Sequence, residues 1–175
     1  MRSVGLALLL VAILLPIAAG QTALDKTLES QLKRVFPNAT SFSAKQTSPV
    51  PHYVAYNGNP GSQTIAGYAF WTTELEPLER GYDGPIKILV GLDLSAHLTG
   101  VMVTENHEPY GYFSVDLPEF AAQFKGKDIR DPFKVGGDVA AVSRASISVN
   151  SSSRAIRNGA RRVARALLTP GGTAK

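Results

Sequence analysis

A chain of 175 residues, 44% of them hydrophobic, is long enough for one domain and too apolar to remain disordered. Its formal net charge of +4 would by itself raise nucleic acid or a membrane surface as partners, but an export signal at the N-terminus argues against nucleic acid. With no cysteine the chain can hold no disulfide framework, iron–sulfur cluster or thioether-attached haem, and its histidines (His52, His97 and His107) fall at no metal-ligand spacing, so no metal site is expected.

Residues 1–20 read as a secretory signal peptide. Arg2 supplies the positive start, the run from Val4 to Leu15 is uncharged and apolar, and Pro16 precedes a small-residue cleavage site at Ala18-Ala19-Gly20. The run is short for a membrane span, which needs about 20 residues. Cleavage before Gln21 and a periplasmic or other extracytoplasmic location are expected, with an uncleaved N-terminal anchor as the alternative. The absence of free thiols suits an oxidising compartment.

Leu24, Leu28, Leu32 and Val35 recur at helical spacing and predict a helix over Ala23–Phe36, ended by Pro37. Thr40–Pro51 is polar, holds two prolines and reads as a loop. Strands are expected over His52–Tyr56 and Thr64–Thr73, parted by the turn Asn57-Gly58-Asn59-Pro60-Gly61. After a loop over Glu74–Pro85, Ile86–Leu94 and His97–Thr104 read as a hairpin about Ser95-Ala96, its first arm alternating Ile86, Ile88, Val90, Leu92 and Leu94. Leu117–Phe124 reads as a short helix capped by Asp116 and closed by Gly126. A basic link over Lys125–Gly137 leads to a stretch rich in small residues, Asp138–Val149. The last helix is predicted over Ser151–Leu168, with Ile156, Ala160, Val163 and Leu167 on one face and Arg154, Arg157, Arg161 and Arg165 on the other. Solvation of that arginine face is one reading; docking an acidic partner or anionic lipid headgroups is the other.

This order of elements indicates an α+β fold: an antiparallel sheet with helices packed against it, forming a single domain over residues 21–168 after the N-terminal signal. Residues 169–175 are expected to be a disordered tail, since Pro170-Gly171-Gly172 stops the helix.

Two places concentrate chemistry. One joins the turn Gly81-Tyr82-Asp83-Gly84-Pro85 to the loop Glu105–Tyr112, where Asn106, His107, Glu108, Tyr110 and Tyr112 crowd together. The other is Asp138–Ser153, where hydroxyls gather at the start of a predicted helix. Free backbone N–H groups and the helix dipole favour a phosphate there. A turn and polar loop, and a capped helix after a serine-rich loop, are the structural alternatives. The spacing supports neither a Ser-His-Asp arrangement nor a carboxylate pair, so no catalytic residue is assigned.

The segments Gly81–Leu94, Leu98–Pro109 and Val135–Ser148 resemble the FMN-binding domain family. The nearest branch is the periplasmic N-terminal domain of NosR/NirI-type regulators of nitrous-oxide reduction; RnfG and NqrC, subunits of membrane redox complexes, are more distant. The resemblance spans roughly Arg34–Arg165 and implies an exported domain holding FMN, often as a phosphoester of a threonine in Asp-x-x-Ser-Gly-Ala-Thr-x-Thr. On this chain Ser143 and Ala145 match, the esterified threonine falls on Ser146 and the last threonine on Ser148, while the motif's Asp falls on Ala140 and its Gly on Arg144.

Those two departures favour non-covalent FMN, with an ester to Ser146 as the alternative. The resemblance thus implies Ser143, Arg144, Ala145, Ser146 and Ser148 around the phosphate and His107, Glu108 and Tyr110 beside the ring. The implied function is electron transfer to or from a membrane or periplasmic redox partner, with peripheral membrane association possible. A regulatory or binding module that kept the fold and lost the flavin is the alternative. An electron-transfer flavoprotein domain is expected in preference to an enzyme with its own substrate.

Overall fold

The computed structural model describes residues 24–169; the expected signal segment and the expected tail from Pro170 onward lie outside them. The first helix, α1, runs over Lys26–Val35 and is shorter at both ends than the apolar spacing predicts. Strands β1 (Ser41–Phe42), β2 (Tyr53–Asn57), β3 (Thr64–Trp71), β4 (Lys87–Asp93) and β5 (Leu98–Glu105) form one antiparallel sheet in chain order. Short helices α2 (Thr72–Leu75) and α3 (Pro118–Ala122) follow β3 and β5, and α4 (Ser146–Leu167) closes the fold. No helix among the described residues is long and apolar enough to cross a membrane.

The segment expected to be a loop, Thr40–Pro51, instead carries β1. Thr40 N–H donates to the Tyr56 carbonyl at 2.7 Å and Ser43 N–H to that of Val54 at 2.9 Å, so a polar run finds its backbone partners on an edge of the sheet. The two sheet faces explain why β4 is almost continuously apolar. Ile88, Val90 and Leu92 join Tyr68, Phe70 and the α4 residues Val149, Ile156, Ala160 and Val163 in one core. Leu89 joins Ala69, Trp71 and the α1 residues Leu32 and Val35 in the other. The predicted alternation therefore sorts side chains between two cores, not between core and water; Leu94, counted in that alternation, lies past the strand end and is exposed.

The α1 side is closed by a pair of glycines. Gly91 and Gly100 face each other across β4 and β5. A Cβ at Gly91 would lie 2.8 Å from the Val35 carbonyl oxygen, and one at Gly100 would lie 2.9 Å from Val35 Cα. The end of α1 rests on this bare patch, and Thr99 Oγ1 donates to the Val35 carbonyl at 2.6 Å.

Helix α4 begins at Ser146, not Ser151. Serine is a mediocre helix former that competes for backbone hydrogen bonds, yet Ser151, Ser152 and Ser153 are all buried inside the helix. Ser151 Oγ donates to the Ser148 carbonyl and Ser153 Oγ to that of Phe133, each at 3.2 Å. Tertiary burial of this small-residue face outweighs the local preference. The expected apolar stripe packs inward, with Ile156, Ala160 and Val163 fully buried and Leu167 partly so.

The arginine face is more than a solvated surface. Arg154 grips Glu79 with Nε at 3.0 Å and Nη2 at 2.9 Å, and Arg161 Nε donates to the Ile129 carbonyl at 2.7 Å. Arg157 Nη1 donates to the Pro132 carbonyl at 3.1 Å. Arg162, outside the predicted stripe, pairs with Glu76 at 3.1 Å. These arginines clamp the loops on either side of α4 and so fix the segment that leads into β4.

Candidate functional site

The first turn of α4, the turn before β4 and the loop after β5 meet around a cleft of about 360 Å³. Tyr82 comes from the turn, Glu108, Pro109 and Tyr110 from the loop, and Arg144 through Ser148 from the start of the helix. The volume falls in the range of small-molecule sites.

Glu108 holds the three segments together. Its carboxylate is buried and accepts the backbone N–H groups of Tyr82 and Asp83, each at 3.0 Å. Ser148 Oγ also donates a hydrogen bond to it. A carboxylate bonded by several donors in a buried place is a strong tether. Gly81 makes the approach possible, because a Cβ there would lie 2.2 Å from Glu108 Oε1. Asn106 supports the loop from behind, accepting Glu108 N–H at 3.0 Å and donating to Asp116 Oδ1 at 2.5 Å. Asp116 is thereby engaged away from α3, whose cap position is taken by Leu117 rather than the aspartate expected from sequence.

The helix end is open on the cleft side. Ala145 sits at the cap of α4 and offers no side-chain hydrogen bond to the first turn. The N–H groups of Ser146, Ile147 and Ser148 have no acceptor within the helix, which with the helix dipole makes a place suited to an anion. Arg144 precedes them with φ at +67°, a left-handed conformation that glycine adopts freely and arginine does not. The backbone here therefore keeps the shape of a glycine position, while an arginine lines the cleft.

The structure brings Glu108, Tyr110, Arg144, Ala145, Ser146 and Ser148 together around this cleft. Ser148 points its hydroxyl at Glu108, so its part is to position the loop. His107 and Ser143 are exposed and lie off the lining. Tyr82, Pro109 and Ile147 line the cleft without having been singled out from sequence. Tyr82 is 71% exposed, Tyr110 44% and Ile147 56%, an apolar rim that water leaves poorly satisfied. Tyr110 is backed by Phe113, ring centroids 5.3 Å apart.

The acid nearest the resemblance motif, Asp138, staples the loop ahead of α4 and does not line the cleft. It accepts Lys134 N–H at 2.6 Å and Phe133 N–H at 3.1 Å and pairs with Lys127 at 3.0 Å. Burial opposes its charge, but the Lys127 ammonium and the two backbone donors outweigh that and hold the carboxyl below its usual range. A folded-state value below the unfolded one stabilises the fold above about pH 3.9, and the contribution disappears as pH falls through the folded value. Asp138→Asn is accordingly expected to cost about 1 kcal/mol at pH 7, after allowing for partial exposure. The gap between parent and variant in urea unfolding should close as pH drops below about 4; a gap that persists undiminished there contradicts the staple.

Residues 81–161 match the family model of the FMN-binding domain, which supports placing this part of the chain in that family and supports FMN binding. Every cleft residue named above lies inside the matched range. No curated protein matches the chain.

Proposed function

We propose, from the FMN-binding pattern of residues 81–161, that this cleft seats FMN and that the protein is an exported electron-transfer module. The residues fit the group. The open amides of Ser146, Ile147 and Ser148 beside the Arg144 guanidinium suit a phosphate monoester, and the flat faces of Tyr82 and Tyr110 with Ile147 suit a ring system. That convergence of an anion end and an apolar end in one cleft carries the proposal. Bound FMN supplies the electron chemistry; the protein supplies its seat and surroundings.

Arg144 and the first-turn amides fix the phosphate, and the Tyr82, Tyr110 and Ile147 rim excludes water from the ring faces. The flavin is held without a covalent bond. Arg144 stands where the attachment motif has glycine, and its forked donors do by charge what an ester would do by bonding. Ser146, exposed in the first turn, lines the cleft at the position the motif esterifies. Arg2 and the apolar run Val4–Leu15 support export, and a periplasmic or membrane redox protein of the kind served by NosR-like domains is the proposed partner.

Comparing FMN with riboflavin tests the phosphate end directly. In equilibrium titrations by fluorescence quenching, FMN is expected to bind at least about tenfold more tightly than riboflavin, the gap narrowing with added salt. Equal affinities would remove the phosphate from the account, and no binding of either would favour a flavin-free regulatory module on the same fold.

A further inference from the structure

The sheet has two edges, and they differ. β1 is two residues long, whereas β5 is eight. At the start of β5 the outer side is covered: Leu98 N–H donates to the Lys127 carbonyl at 2.9 Å, and Gly126 N–H donates to that of Leu98 at 2.7 Å. From Thr99 to Thr104, among the described residues, no backbone hydrogen bond leaves β5 on that side. Exposed strand edges are normally blunted by charge or proline, yet Thr99-Gly100-Val101-Met102-Val103-Thr104 has neither. The irregularities in its pairing with β4 lie at the ends and leave Leu89–Gly91 opposite Gly100–Met102 in regular register.

A groove of about 370 Å³ runs along this edge, between the end of α1 and α3. Val101, Met102 and Val103 form one wall, and Val115, Leu117 and Ala121 help form the other. Arg34 and Lys125 also line it; both are exposed, and neither forms an ion pair among the described residues. The acid of the lining, Asp116, is already bonded by Asn106 at 2.5 Å. An apolar groove beside an unpaired strand, with two cations in its lining against one carboxylate, has the features of a site for strand addition.

We propose that the outer edge of β5 docks an extended acidic segment of a partner protein, which adds to the sheet as a further strand with its carboxylates against Arg34 and Lys125. Main-chain hydrogen bonds to residues 99–104 supply the register, and the apolar walls receive alternate side chains. A second copy of this chain is the poorer occupant, because edge-to-edge pairing of two β5 strands would gather both copies' Arg34 and Lys125 into one interface. The groove shares no lining residue with the flavin cleft, so the two sites stand or fall separately.

The test uses a fluorescein-labelled octapeptide of alternating threonine and valine ending in two glutamates with a free carboxylate. Its control ends in two lysines and an amide. Anisotropy titrations of the mature protein are expected to saturate with the acidic peptide and to be about tenfold weaker or worse with the basic one. An Arg34→Glu/Lys125→Glu variant should reverse the preference, and amide exchange in the acidic complex should slow at residues 100–104. Failure of the acidic peptide to saturate overturns the proposal, as does binding that leaves β5 exchange unchanged. Protection of the same amides by raising protein concentration alone would identify a second copy as the occupant and equally overturn it.

Discussion

Glu108→Ala is expected to lower stability by about 3 kcal/mol and to weaken FMN binding in the same protein. Glu108 is 8% exposed, and its carboxylate accepts from Tyr82 N–H, Asp83 N–H and Ser148 Oγ. Removing it leaves three donors from two segments without their common partner, and each unsatisfied buried donor costs about 1–3 kcal/mol, less whatever water restores. Because the tether shapes the cleft, the loss of order reaches Tyr82 and Tyr110 as well. Gly81→Ala should do similar damage from the other side, since its methyl would clash with Glu108 Oε1 at 2.2 Å. The two changes strike one contact, so the double variant should cost little more than the worse single one. Urea unfolding of the four proteins of this cycle gives the answer; fully additive costs would mean that Gly81 and Glu108 act independently and that the tether is misidentified.

Arg144 is expected to separate affinity from stability. Its φ of +67° is strained for any residue with a Cβ, by about 1–2 kcal/mol. Arg144→Gly relieves that strain, while Arg144→Ala keeps it, so glycine should be the more stable of the two variants by about 1 kcal/mol. Both remove the guanidinium, and both should weaken FMN by about tenfold or more, with the difference from the parent shrinking at high salt. A purely structural role for Arg144 would make affinity follow stability, with glycine binding FMN better than alanine. Equal loss of affinity with unequal stability is the signature of a phosphate ligand held at a strained turn.

Much of the scaffold was legible because it rests on periodic burial. The β4–β5 hairpin, the stripe Ile156, Ala160 and Val163, and the α+β order all follow from the spacing of apolar residues. What spacing missed was decided by contacts distant in sequence. The start of α4 moved to Ser146 because Ser148 and Ser153 find partners only in the folded protein, Glu108 for one and the Phe133 carbonyl for the other. Asp116 looked like a helix cap, but Asn106 claims it across the intervening loop.

The candidate site was half readable. The motif positions Arg144 to Ser148 and the loop residues Glu108 and Tyr110 do converge. Glu108 and Ser148 turn out to bond each other, and His107 beside them faces out of the cleft lining. Tyr82 lay within a recognised glycine turn, yet nothing local says that this turn closes over a glutamate 26 residues further along the chain. Arg154 and Arg161 read as a charged helix face, whereas their forked donors reach Glu79 and the Ile129 carbonyl and thereby brace the loops packed against α4.

The central claim is that FMN occupies the cleft at the start of α4 and is held there without a covalent bond. The most direct measurement is the visible absorption of the purified protein, taken before and after denaturation and ultrafiltration. The account predicts a flavin spectrum at about one FMN per chain that passes entirely into the filtrate once the protein is unfolded. A colourless protein that takes up no added FMN would contradict the binding itself, and flavin colour retained with the unfolded chain would contradict the role given to Arg144.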